Sequence, residues 1–138
     1  LQSGVWYTAA GEGKLANMAR DDVARAAAVI LASTDTSTQT YTLSGAKALT
    51  TREIAAAISA AVGDPLDVVD ISQEALVEGL MASGLPEAAA REIASFDANA
   101  AAGGFSGATG DYKAITGREP QSVDEWCCAN RSALIGTR

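Results

Sequence analysis

Short extended runs that alternate with capped helices predict an α/β fold, helix-rich, with about three short, partly parallel strands. Three observations carry that expectation. Alanine supplies 30 of the 138 residues and aromatics only 5%, which favours helix over sheet and leaves a thin core, because hydrophobic gain scales with buried area. The stretches "LTTREI" and "SVDE" are capping boxes, each a Thr or Ser followed three residues later by Glu. Between the helical stretches lie β-rich runs such as "VWYTA" and "LDVVDI". At this length, residues 1–138 are expected to form a single domain.

Taken in order, residues 5 to 9 read as a strand or extended lead-in, and Lys14 to Met18 alternate as a short strand. A helix is expected from Asp22 to about Ala32, with Val23, Ala27, Ile30 and Leu31 inward and acids at its positive end. The polar run 33–40 is a turn, and Tyr41-Thr42-Leu43 reads as a strand closed by Ser44-Gly45. Thr50 then caps a helix whose buried stripe is Ile54, Ile58 and Val62; Leu49 and Ile54 form a hydrophobic staple and Gly63 the stop. Leu66 to Ile71 is a further strand, and Ser72 caps a helix carrying Leu76, Val77, Leu80 and Met81, ended by Gly84. Pro86 opens the next helix, with Ala89, Ile93, Phe96 and Ala100 inward, which stops at Gly103-Gly104. A short helix over Tyr112–Ile115 closes at Gly117, and Ser122 caps a last one with Val123, Trp126 and Cys127 inward.

Composition removes whole classes of function. The net charge is −7, and no two basic residues adjoin, so nucleic acid and anionic membrane surfaces are not expected partners. No apolar stretch approaches the ~18 residues of a membrane span, and no leader peptide is visible. The absence of histidine excludes Ser-His-Asp and Cys-His catalysis and His-based zinc sites within this chain. The two cysteines are adjacent, Cys127-Cys128, where a disulfide is strained; that usage fits a reducing cytoplasm.

Four features invite chemistry. Gly11-Glu12-Gly13-Lys14-Leu15-Ala16 spells G-x-G-x-x-A, but a dinucleotide loop requires a helix to start at the glycines. Here a strand-like run comes next, so a turn between two extended pieces is expected. Asp64, Asp67 and Asp70 recur every third position, which in a strand sends Asp67 and Asp70 to opposite faces, away from one shared ion. Tyr112-Lys113 are neighbours and not the Tyr-x-x-x-Lys couple of ordinary short-chain dehydrogenases. Arg20 stands at a strand-to-helix junction, where α/β proteins meet their ligands; an ion pair with Asp21 or Glu12 is the competing role.

The segments "AAGEGKLANMARDDVARAAAVIL", "YTLSGAKALTTREIAAAISAAVG", "GLPEAAAREIASFDANAAAGGF" and "TGREPQSVDEW" resemble the successive C-terminal signatures of NmrA-like proteins. These are atypical short-chain dehydrogenase/reductases of Rossmann type, and the likeness is to the bacterial NAD(P)H:quinone oxidoreductase branch. It runs from about Val5 to Leu134 and implies a helix-rich C-terminal lobe that walls a substrate cleft. The nucleotide-binding half of that family has no counterpart here. The resemblance implies NAD(P)H in the complete fold, no cofactor bound by this chain alone, and no catalytic residue within it. It also places Arg20 and Gly103-Gly104-Phe105 beside substrate or cofactor. Two readings are open: the substrate lobe of a quinone-reductase-like enzyme, inactive without its other half, or a self-sufficient, non-catalytic oligomeric module. Either leaves apolar faces near Val5–Tyr7, Leu15 and Leu43 to be covered by the missing half or by a second copy in a homodimer.

Overall fold

The computed structural model describes residues 4–135. The elements run β1 (Val5–Thr8), β2 (Lys14–Leu15), α1 (Arg20–Ala32), β3 (Leu49–Thr50), α2 (Thr51–Val62), β4 (Asp67–Asp70), α3 (Gln73–Ala82), α4 (Glu87–Ala101), α5 (Asp111–Thr116), α6 (Val123–Ala129) and α7 (Arg131–Ile135). The strands form two small pieces. β1 pairs with β4 in parallel, Val5 opposite Asp67 through Thr8 opposite Asp70, and β2 pairs with β3 antiparallel. The expected helix-rich α/β fold with little, partly parallel sheet is therefore what forms.

Local chemistry fixes the helix ends. Both capping boxes close: Thr50 Oγ1 accepts from the Glu53 N–H while the Thr50 N–H donates to Glu53 Oε2 at 2.8 Å, and Ser122 and Glu125 repeat the exchange. Those amide donors, Thr50 first for Glu53 and Ser122 first for Glu125, hold both carboxyls below the ordinary carboxylate range. Ser72 caps α3, and Gly63 and Gly117 take the left-handed backbone that ends α2 and α5. Pro86 occupies the cap position itself, one residue before α4.

Three expectations fail. Tyr41–Leu43 is not a strand: the Thr42 N–H donates to Asp111 Oδ2 at 2.7 Å and its carbonyl accepts from the Thr109 hydroxyl, so neither group reaches a neighbouring strand. The short strand after it is Leu49–Thr50, which pairs with Lys14–Leu15; Ala16–Met18 are irregular. The third failure concerns faces. α1 buries Asp22 and Ala26, leaving Val23, Val29, Ile30 and Leu31 exposed, and α4 buries Ala90, Ala94 and Ala100, leaving Ile93 and Phe96 exposed. On α6 Cys127 is buried, as expected, but Trp126 is exposed. The interior is correspondingly light. α3 and α4 meet over Val77, Ala90 and Ala94, α2 packs against α6 and buries Ile54, Ala55 and Ala57, and among the described residues Tyr112 is the largest side chain wholly inside.

Candidate functional site

The Gly11–Gly13 segment is a turn, as the sequence implies. β1 leads into it, the Gly13 N–H donates to the Ala10 carbonyl at 2.8 Å, and β2 leaves it; the next helix starts seven residues after Gly13, at Arg20. Gly11 needs its positive φ of 53°, and a Cβ on Gly13 would lie 2.4 Å from the Ala100 carbonyl oxygen. The second glycine thus lets the turn pack on the end of α4. On the other side of the turn Asp97 of α4 binds the end of β1, its Oδ2 accepting from the Thr8 hydroxyl at 2.8 Å and the Ala9 N–H at 2.7 Å.

Where α4 ends, Gly103 (φ 82°) reverses the chain, and the Gly104 N–H returns to the Asn99 carbonyl at 2.9 Å. A Cβ on Gly104 would strike the Asn99 side chain at 2.2 Å. Phe105 then folds back along α4. Its ring stacks on Phe96 with centroids 6.1 Å apart and planes 19° apart, and its carbonyl accepts from the Ala16 N–H at 2.9 Å. On the far side the Gly45 N–H donates to the Ala16 carbonyl, and the Thr109 N–H ties down Ser44 Oγ at 2.7 Å. These bonds hold open a cleft of about 410 Å³ walled by Leu15, Ala16, Asn17, Thr42, Leu43, Ser44, Phe96, Gly104, Phe105 and Gly107. No wall residue titrates. The cleft can stack an apolar or aromatic molecule on two phenyl rings and hydrogen-bond it through Asn17, Thr42 or Ser44, but it supplies no acid, base or nucleophile of its own.

Arg20 lies elsewhere. It is the first residue of α1, exposed, and its guanidinium makes no ion pair or hydrogen bond among the described residues, so the competing pair with Asp21 or Glu12 does not form. It borders a second cleft of about 280 Å³, between α1, α2 and α6, whose lining includes Asn17, Met18, Ile54, Ile58, Trp126 and Cys127. The two clefts share Asn17, a residue that no pattern in the sequence singles out. Gly103 lines a third, shallow depression with the Gly11–Lys14 turn. The Cys127 thiol on the floor of the Arg20 cleft is pushed up by burial, and further by Asp124 and Cys128, so it is a packing group and not a nucleophile.

Asp22 is the other residue whose role the sequence conceals. It turns inward from the first turn of α1, accepting from the Tyr112 hydroxyl at 2.6 Å and the Gln121 N–H at 2.7 Å, and so joins α1 to α5 and to the approach to α6. Two adjacent acids at a helix start read equally well as dipole partners, and nothing local marks which one the tertiary fold takes inside. Asp70 pairs with Arg52, and among the described residues no cluster of three or more Cys, Asp or Glu side chains is placed to hold a metal. No helix among those residues is long and apolar enough to cross a membrane.

No family model matches the chain. Individual proteins do. The chain is 37% identical over 124 residues to an uncharacterized oxidoreductase, YesF, of Bacillus subtilis, covering 89% of this chain and 43% of that protein. It is 30% identical to the NAD(P)H azoreductase of Xenophilus azovorans, covering 96% of this chain and 46% of that one. Its fold superposes on the NADPH complex of an NADPH-dependent quinone oxidoreductase from Escherichia coli with a TM-score of 0.87 at 28% identity, over 94% of this chain and 46% of that chain. The chain thus spans a little under half the length of the curated relatives it matches. These matches agree with the motif likeness: the proteins this chain is similar to are NAD(P)H quinone oxidoreductases and related NmrA-like reductases, and the overlap is consistent with their C-terminal half.

Proposed function

We propose that these residues are the substrate lobe of an NAD(P)H-dependent quinone-oxidoreductase-like reductase, with the hydride donor held by a nucleotide-binding half outside them. The cleft over Phe96 and Phe105 carries this reading: it suits a flat apolar acceptor and has no titrating group with which to transform one. A quinone stacked there needs only a hydride from a cofactor opposite and a proton from solvent. Gly104 and Phe105 form the substrate wall, and Gly103 sets the turn that presents them. The exposed apolar side chains of α1 and α4 are, in this reading, surface for the other half.

Alone, the chain is expected to turn over nothing and to bind NADPH with a dissociation constant weaker than about 10 µM, or about −7 kcal/mol. The test joins it to the segment that precedes the matched half in the Escherichia coli quinone oxidoreductase. NADPH oxidation by a small quinone should then require both pieces, and Phe105→Ala should raise KM for the quinone. Tight NADPH binding by the chain alone overturns the reading, as does a joined protein that folds and binds NADPH but reduces no quinone. The alternative, a non-catalytic homodimer, uses the same exposed faces. Sedimentation of the chain by itself distinguishes it, because a stable dimer buries more than about 1,000 Å².

A further inference from the structure

The Arg20 cleft differs in character from the Phe96–Phe105 cleft, though the two meet at Asn17. Its walls are mainly Met18, Ile54, Ile58, Val123 and Trp126, and Arg20 is the one basic residue among them. Among the described residues of this acidic chain, Arg25, Lys47, Arg52, Arg91 and Lys113 pair with carboxylates, and Arg131 donates to the Ala61 and Val62 carbonyls. Of the described cations with no ion pair or side-chain hydrogen bond, Lys14, Arg20 and Arg118, only Arg20 lines this cleft. The acids around it do not neutralise it. Asp22 is committed to Tyr112 and Gln121, Glu125 to Ser122, and the exposed Asp21 and Asp124 make no ion pair with it. An unpaired fork of five N–H donors beside an apolar cleft matches a carboxylate on an apolar body. The volume, about 280 Å³, falls just below the usual range for ligand clefts, about 300–1,000 Å³, which limits the occupant to a small molecule.

We propose that this cleft binds a small aromatic carboxylate, its ring against Ile54, Ile58 and Trp126 and its anion on Arg20, at a site separate from the one that receives the hydride acceptor. The division of labour follows from the chemistry of the walls. Burial of the ring supplies most of the affinity, and the guanidinium selects the anion over a neutral analogue of the same shape. Asn17 lines both clefts, so an occupant of one can bear on the other through that residue.

The probe is 2-naphthoate, with 2-naphthamide as its uncharged counterpart, titrated into the chain by calorimetry and followed by the indole N–H resonance of Trp126. Neither measurement uses NADPH or turnover, so failure of the reductase reading leaves the outcome unaffected. Naphthoate is expected to bind at least about tenfold more tightly than naphthamide and to shift the Trp126 resonance. Arg20→Ala should erase that preference without lowering the melting temperature, Arg20→Lys should keep part of it, and Phe105→Ala should leave it intact. Equal affinity for the two probes would overturn the proposal, as would an unchanged preference in Arg20→Ala. Loss of naphthoate binding in Phe105→Ala, with the fold retained, would place the ligand in the other cleft and overturn it too. Absence of saturable naphthoate binding would also defeat it.

Discussion

Replacing Asp22 by Ala removes one carboxylate on which three parts of the chain depend. Its oxygens accept from the Tyr112 hydroxyl at 2.6 Å and the Gln121 N–H at 2.7 Å, while Arg25 stands at 4.0 Å. Tyr112 is 1% exposed, so in the native fold its hydroxyl depends on a partner within the protein. A buried donor left without a partner costs about 1–3 kcal/mol, and two such donors, partly relaxed, put Asp22→Ala at about 2–5 kcal/mol. Tyr112→Phe deletes one donor and leaves Asp22 with its other partner, at about 1–2 kcal/mol. Urea unfolding of both variants and the double gives the coupling, expected at about 1–2 kcal/mol with the m-value unchanged. The phenol adds a pH signature. Burial first, then the hydrogen bond to Asp22, raise Tyr112 above its ordinary value, so the folded state holds the proton that the unfolded state releases. Its stabilising contribution is therefore complete below about pH 10 and is lost as pH rises through the raised folded value. Tyr112→Phe should remove that alkaline slope. An Asp22→Ala variant within about 0.5 kcal/mol of the parent, or strictly additive single variants, would refute the account of Asp22 as the joint between α1, α5 and α6.

Three further outcomes can be checked on the same material. With a thiol-reactive disulfide, Cys128 should be modified in the native chain and Cys127 only on adding denaturant, since one is exposed and the other buried; equal rates would contradict the packing of α6. The depressed carboxyls of Glu53 and Glu125 contribute stability above the ordinary carboxylate pKa of about 4.3, lost as pH falls through their lower folded values. Glu53→Gln with Glu125→Gln should flatten acid unfolding measured by circular dichroism, and an unchanged acid limb would count against the boxes as its source. Gly13→Ala should destabilise by about 1–3 kcal/mol through the clash with the Ala100 carbonyl, whereas Gly107→Ala, which meets nothing within 4 Å, should be close to neutral in thermal melts.

Legibility in the sequence depends on how local the signal is. Thr50 with Glu53, Ser122 with Glu125, and Gly63 and Gly117 past their helices state a bond or a backbone angle within four residues, and each forms as expected. The Gly11–Gly13 turn is readable for a related reason, because the residues just after the glycines are extended. Tyr41–Leu43 escapes such reading because its partners, Thr109 and Asp111, lie 65 or more residues away in sequence. The same holds for the clefts. Motif likeness points to Gly104 and Phe105, while helical periodicity assigns the ring that Phe105 stacks on, Phe96, to the core, and Asn17 carries no mark until the two clefts meet at it.

The inverted helix faces arise from a different limit. Periodicity says which side chains share a face, not what that face meets. On α1 and α4 the small face goes inward, Ala26, Ala90 and Ala94 being fully buried, because alanine lets backbones approach closely where there is little space between helices. The large apolar face is then left outside: Leu31 is 86% exposed and Phe96 57%. Full burial of such a side chain is worth roughly 1.5–3 kcal/mol, of which Leu31 leaves most and Phe96 about half ungained within these residues. Val23, Val29, Ile30 and Leu31 on α1, and Ile93 and Phe96 on α4, thus give each helix a second apolar face beside the one it turns inward. The proposed function assigns those faces to the part of the relatives with which this chain does not align. In the proposed enzyme these faces belong to a core completed across the two halves, with the Phe96–Phe105 cleft at its margin.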